Sequence, residues 1–205
     1  MRLETSTLIT GLDAIAHRHK RVASELKRIG YPKLRKKSMG YKTLLRTIIG
    51  QQVSVAAANA IWRNLEKEIG NDFTPTSLMT TDSSTLQACG ISRQKQKYVR
   101  SLCQRIAMGA LNLDSLPEDD EEAIDLLTSV NGIGRWSAEI YLLFAEGRPD
   151  IWPAGDLVIR KGLKWMFDLP ERPSEQATRA IAKDWSPHRS AMAIFIWYYH
   201  DKSAL

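Results

Sequence analysis

The sequence predicts an all-α fold. Nearly every apolar stretch repeats at helical spacing, and alternating β-branched runs are almost absent. The 205 residues fit one large or two small domains and are enough to bury a core. Composition is ordinary for a globular protein, with 43% hydrophobic and 25% charged residues. No internal repeat or low-complexity segment stands out.

The first helix is expected from about Thr10 to Ile29, with Leu12, Ile15, Val22, Leu26 and Ile29 inward and a basic face of His17 to Arg21, Lys27 and Arg28. Gly30-Tyr31-Pro32 stops it, and Lys33, Arg35, Lys36 and Lys37 carry the charge into the next loop. Tyr41 to Leu65 reads as two helices. Leu44, Leu45, Ile48 and Ile49 form a buried face before Gly50, and a small-residue helix follows from Ser54. A loop at Phe73 to Thr76 leads to a short helix over Ser77 to Ala88, which Gly90 ends. Ser92 opens a helix through Tyr98, Leu102 and Ile106, whose basic start suits either a phosphate or a surface ion pair. Pro117 to Glu122 is acidic, so this end is expected to face away from any polyanion. In the last third, Trp165-Met166-Phe167 reads as core. Ser174 starts one helix, and Trp185 to Ser190 opens the final one.

The clearest stretch lies between these. Ala123, Ile124, Leu126 and Leu127 close on Val130-Asn131-Gly132-Ile133-Gly134, and a second periodic run follows from Arg135 through Trp136, Ala138, Ile140, Leu142 and Leu143. That is helix, tight turn, helix. Gly132 and Gly134 tolerate φ > 0 and let a ligand approach the backbone, and Ile133 is the expected plug under the turn. Free N–H groups at the start of the following helix suit a phosphate.

Charge and cysteine content narrow the function. The net charge is +6 and the isoelectric point about 9.4, which suits a polyanion partner. Cys89 and Cys103 are too few for an iron–sulfur cluster or a zinc site and read as reduced thiols. No membrane span is expected, because no run of about 20 apolar residues exists. The N-terminus lacks a signal-peptide core, so the protein is expected in the cytoplasm or nucleoid of a bacterium, or the nucleus of a eukaryote, and not secreted.

Three segments together resemble one family. Val130 to Ala138, then Gly147-Arg148-Pro149-Asp150, then Trp152-Pro153-Ala154-Gly155-Asp156-Leu157 are similar to the helix-hairpin-helix DNA glycosylases, closest to the 3-methyladenine DNA glycosylase II (alkylbase) branch. Ile48-Ile49-Gly50-Gln51-Gln52-Val53-Ser54, Gly90 to Lys95 and the Trp-x-Pro-x-Arg-Ser stretch from Trp185 extend the likeness over roughly Tyr41 to Trp197. The resemblance implies two helical subdomains with an active-site cleft between them. One comprises about 1–40 plus 150–205, the other about 41–149 with the hairpin at 130–134. The bacterial enzyme's additional N-terminal β-rich domain is not expected within these 205 residues.

The resemblance also assigns roles. The hairpin, Gly132, Ile133, Gly134 and Arg135, would grip a DNA phosphate. Gln52 would be the wedge that fills the gap left by an extruded base, where the bacterial enzyme has leucine, and Gln51 would tie backbone groups within the fold. Asp156, twenty residues after Trp136, would be catalytic. An ionised carboxylate beside C1′ stabilises the oxocarbenium-like state that forms as an N-glycosidic bond breaks. Asp156 also suits an N-cap, and the two roles are compatible. Trp136 and His188 would line the base pocket. An indole attracts a cationic alkylated purine by about 0.5–2 kcal/mol, although Trp136 equally suits core packing. His188 replaces a pocket tryptophan of the bacterial enzyme, which points to a narrower substrate range. Backbone carbonyls of Thr128, Val130 and Ile133 would hold Na+ or K+ at the hairpin, with no cofactor required.

Bifunctional members of the superfamily carry a Schiff-base lysine where this chain has Trp136, so a monofunctional enzyme is expected. It would flip 3-methyladenine or 7-methylguanine out of damaged double-stranded DNA and hydrolyse it away as a monomer, leaving an abasic site. The alternatives are a glycosylase for uracil, hypoxanthine or a mispaired base, and a non-catalytic hairpin protein that senses damage.

Overall fold

The computed structural model describes residues 2–71 and 73–203. Among these residues the regular structure is helical throughout, without strands. The helices are α1 (Thr5–Arg18), α2 (Lys20–Ile29), α3 (Tyr41–Gly50), α4 (Val55–Ile69), α5 (Pro75–Thr80), α6 (Ser83–Ala88), α7 (Arg93–Ala107), α8 (Asp120–Thr128), α9 (Arg135–Tyr141), α10 (Leu157–Met166), α11 (Glu175–Ala182) and α12 (Arg189–Ser203). A π-helical turn, Leu142–Glu146, continues α9. No helix of the described residues is long and apolar enough to cross a membrane.

The chain forms two compact units, Met1–Lys37 with Glu139–Leu205, and Ser38–Ala138. In the first unit the core is built on Leu8, Leu12 and Ile15 of α1, Val22 and Leu26 of α2, and the almost wholly buried stretch Ser190 to Ile196 of α12. Helices α10 and α12 touch backbone to side chain. A Cβ on Gly162 would lie 2.5 Å from Ile196 Cγ2, so only glycine permits this approach. The start of α12 is pinned by Asp150, which takes Arg189 Nε and Nη2 at 2.9 Å each and Ser186 Oγ at 2.7 Å. Burial pushes the Asp150 carboxyl up, but these donors outweigh it and hold it below the usual carboxylate range. Ser190 adds a second tie, accepting the Ile151 N–H at 2.9 Å and donating to Arg148 O at 2.7 Å. The Arg-Ser pair of the final motif therefore fastens residues 148–151 to α12.

In the second unit, Leu44, Leu45, Ile48 and Ile49 are buried as the periodicity predicts. Ser54 caps α4 through Ala57 N–H at 3.1 Å, and Ser92 caps α7 through Lys95 N–H. The Lys95 ammonium donates to Ile49 O at 2.7 Å, closing the last turn of α3, so the basic start of α7 is a structural tie at this residue.

Four local expectations need correction. The expected helix Thr10–Ile29 is two helices. His19 sits between them in extended conformation, φ −124° and ψ 95°, with its ring edge-on to Trp185 at 6.3 Å. The expected helix Ser77–Ala88 is also two, because Asp82 caps a fresh start through Thr85 N–H at 2.9 Å. Trp165 is not core. It is 40% exposed and stacks on His200 at 4.8 Å, while the buried stripe of α10 is Ile159, Gly162, Leu163 and Met166. Finally, the acidic start of α8 does not point wholly away from the hairpin, since Glu121 pairs with Arg135. The nine-residue α8 is only about 13 Å long, within reach of an arginine at the start of α9.

Both cysteines are buried, and burial pushes the Cys103 thiol up to about 12. The thiolate is the reactive species. Iodoacetamide at pH 8 should therefore leave both cysteines unmodified in the native protein and label both after unfolding, as read by mass spectrometry. Rapid native labelling of Cys103 would contradict this burial.

Candidate active site

The second unit holds the hairpin. The Ser129 to Gly134 turn links α8 to α9, with Ile133 3% exposed beneath it as the plug. The two glycines have different reasons. Gly132 has φ +87°, and a Cβ there would lie 2.3 Å from the Tyr98 ring, so the turn sits flat on Tyr98 of α7. Gly134 has no positive φ, and a Cβ there meets nothing within 4 Å. It is an open backbone surface, bare of side chain on the exposed side of the turn. Asn131 N–H donates to Ser101 Oγ at 3.1 Å, a second tie to α7.

Gln51 also supports the turn. Its Nε2 donates to Gly132 O at 2.7 Å. Gln52, beside it, is exposed with φ +55°, a left-handed conformation uncommon for a residue with a Cβ. The structure thus separates the neighbouring glutamines, one tied to the hairpin backbone and the other projecting outward. Arg135 Nη2 lies 2.5 Å from Glu121 Oε1. Trp136 is 45% exposed, which sets it apart from a core tryptophan. Val130 O accepts the Ile133 N–H at 3.0 Å, and a carbonyl oxygen keeps a second lone pair for a cation.

The first unit holds Asp156. It is the N-cap of α10, half-buried, with Oδ1 accepting Val158 N–H at 2.8 Å and Ile159 N–H at 3.0 Å. Trp197 Nε1 of α12 donates to the same oxygen at 3.1 Å. Three N–H groups from two helices therefore fix this carboxylate. Capping of this kind contributes about 0.5–2 kcal/mol. The preceding Trp152, Pro153 and Ala154 are buried, and Arg179 reaches from α11 to Trp152 O at 3.5 Å and the buried Glu139 at 3.0 Å. The loop that delivers Asp156 is thus anchored on its inner side.

His188 lies elsewhere in the first unit. It lines a hollow of about 440 Å³ with residues of α1 and with Pro149, Pro187 and Ala191, and Asp156 does not line it. Its ring packs on Gly11, where a Cβ would meet it at 3.2 Å. Trp197, Tyr98 and Ser101 are the residues the sequence does not reveal. Tyr98 and Ser101 share the i,i+3 spacing of one helix face, a signal only once that face is known to meet the turn. Trp197 carries no local signal at all.

Residues 45–188 match the family described as HhH-GPD superfamily base excision DNA repair protein. DNA-3-methyladenine glycosylase 1 of Schizosaccharomyces pombe is 34% identical over 162 residues, covering 77% of this chain and 71% of that protein. Among solved structures, DNA-3-methyladenine glycosidase from Bacillus halodurans superposes with a TM-score of 0.88 at 26% identity, covering 95% of this chain and 90% of that one. The 3-methyladenine DNA glycosylase of S. pombe in complex with abasic DNA superposes with a TM-score of 0.80 at 28% identity, covering 96% and 97%.

The glycines give a paired test. Gly132→Ala should lower Tm by several degrees, since it combines a positive φ with a clash against Tyr98. Gly134→Ala should leave Tm within about 1 °C of wild type, because its surroundings are open. Equal effects would contradict the different reasons assigned to the two positions.

Proposed function

The chain belongs to the HhH-GPD superfamily of base excision DNA repair proteins, and from that membership we propose that it is a monofunctional DNA glycosylase, releasing alkylated purines such as 3-methyladenine and 7-methylguanine by hydrolysis. The observation that carries this reading is the Asp156 carboxylate, held on one oxygen by three N–H donors. A fixed negative group costs no reorganisation as positive charge grows on the sugar, and it orients the attacking water.

The remaining residues divide the other tasks. Backbone N–H groups of the hairpin hold a DNA phosphate against Gly134, where no Cβ stands in the way. Gln52 enters the duplex as the base leaves the stack, a step that costs a few kcal/mol and least for damaged pairs. Trp136 presents an electron-rich face to a cationic purine. Having no amine, it supports no Schiff base, so strand cleavage does not accompany base release. The Thr128, Val130 and Ile133 carbonyls would hold Na+ or K+, which would supply positive charge at the hairpin. Arg135 reaches DNA only by leaving Glu121, and such an exposed pair contributes about 0–1 kcal/mol. The protein acts as a monomer, in the compartment that holds the chromosome.

Base release from methylated duplex DNA, scored separately from strand cleavage, tests this. Wild type should free methylated purines and leave strands intact until alkali is added. Asp156→Asn should bind the duplex as wild type does and release base at least about 100-fold more slowly. Equal release by both proteins would remove Asp156 from the chemistry. Release of uracil but not of methylated purines would overturn the substrate assignment.

A further inference from the structure

We propose that Trp197 is a positioning residue for the reaction, setting the orientation of the Asp156 carboxylate through its indole N–H. The inference rests on the function proposed above and adds a residue outside the hairpin and its aspartate. The two α10 donors, Val158 and Ile159 N–H, belong to the helix that Asp156 caps and would move with it. Trp197 is different. It comes from α12, and it alone of the three reaches Oδ1 from outside α10, at 3.1 Å. Two of the donors approach the carboxylate along one helix end, and the third approaches from another helix, a second direction of restraint.

The indole is itself held. Its ring stacks on Phe144 at 5.5 Å with 27° between planes. Phe144 lies in the π-helical turn Leu142–Glu146, a distortion that is rare and recurs at functional sites. Lys37 N–H donates to Phe144 O at 2.9 Å, and its ammonium lies 6.0 Å from the ring centroid. The neighbouring residue of α12, Ile196, packs against Gly162 of α10 with no room for a Cβ, which fixes the spacing of the two helices and so the reach of Trp197. A tryptophan placed only for core packing needs none of this. Trp152 and Trp185 of the same unit are more deeply buried, and their N–H groups have no partner.

The test compares wild type, Asp156→Asn and Trp197→Phe. Phenylalanine keeps an aromatic ring against Phe144 and removes the donor. We expect Trp197→Phe to match wild type in affinity for an abasic-site duplex, with single-turnover base release slower by about tenfold or more. In 15N-labelled protein the Trp197 Nε1–H signal should exchange slowly with solvent and shift in Asp156→Asn, which packing alone would not produce. If Trp197→Phe fails to fold, benzothienylalanine at position 197 decides, since it keeps the bicyclic shape and lacks the N–H, and the same loss is expected. Release at the wild-type rate by the folded variant, or a loss fully explained by weaker DNA binding, overturns the proposal. A wild type that frees no methylated base fails the proposed function itself, whereas an active wild type with an equally active Trp197→Phe fails only this inference.

Discussion

Three N–H groups converging on one carboxylate oxygen are the constraint around which the first unit is arranged. A helix needs its first N–H groups satisfied, and Asp156 satisfies two of them in α10. The same bonds hold the carboxylate still, which is what the proposed chemistry requires of it, so the capping role and the proposed role are compatible. Two contacts set the position of α12, which supplies the third donor. Glycine at 162 lets α12 close on α10, and the Asp150–Arg189 pair fixes where α12 begins. The pair is half-buried and bidentate, a geometry that fixes direction as well as distance.

In the second unit the turn leaves bare backbone at Gly134 while being tied from beneath. Gly132 is shaped for the interior, resting on Tyr98, and Gly134 for the exterior, open to approach. Gln51 and Ser101 hold the turn from two sides through single hydrogen bonds. These ties come from the residue that ends α3 and from α7, and the turn they hold is six residues long. Arg135, which follows the turn, pairs with Glu121.

Much of this is legible in the sequence, for physical reasons that differ by residue. The helices show because burial of one face imposes a 3.6-residue period, and the ends of α4 and α7 show because Ser54 and Ser92 cap them. The hairpin shows because two glycines flank a plug residue between two periodic runs. The breaks at His19 and Asp82 do not show. Each leaves the apolar period nearly intact: His19 turns its ring to Trp185 from elsewhere in the chain, and Asp82 caps the N–H of Thr85 three residues on. Trp165 misleads because Met166 beside it carries the same apolar signature while facing the other way. Gln51 is readable as a structural tie, but its partner, Gly132 O, is 81 residues away and no local pattern encodes that. Trp197 is invisible for the same reason, being 41 residues from the aspartate it touches.

The claim at the centre is that a fixed negative charge at position 156 answers positive charge on the sugar. Binding measures this without turnover. Two duplexes are needed, one carrying a cationic cyclic amine in place of the damaged nucleotide's sugar and one carrying the neutral ring ether. Wild type should prefer the cationic duplex by about tenfold or more, as enzymes favour mimics of their transition states, and Asp156→Asn should lose that preference while binding the neutral duplex unchanged. An equal preference in both proteins would mean that the carboxylate only caps its helix.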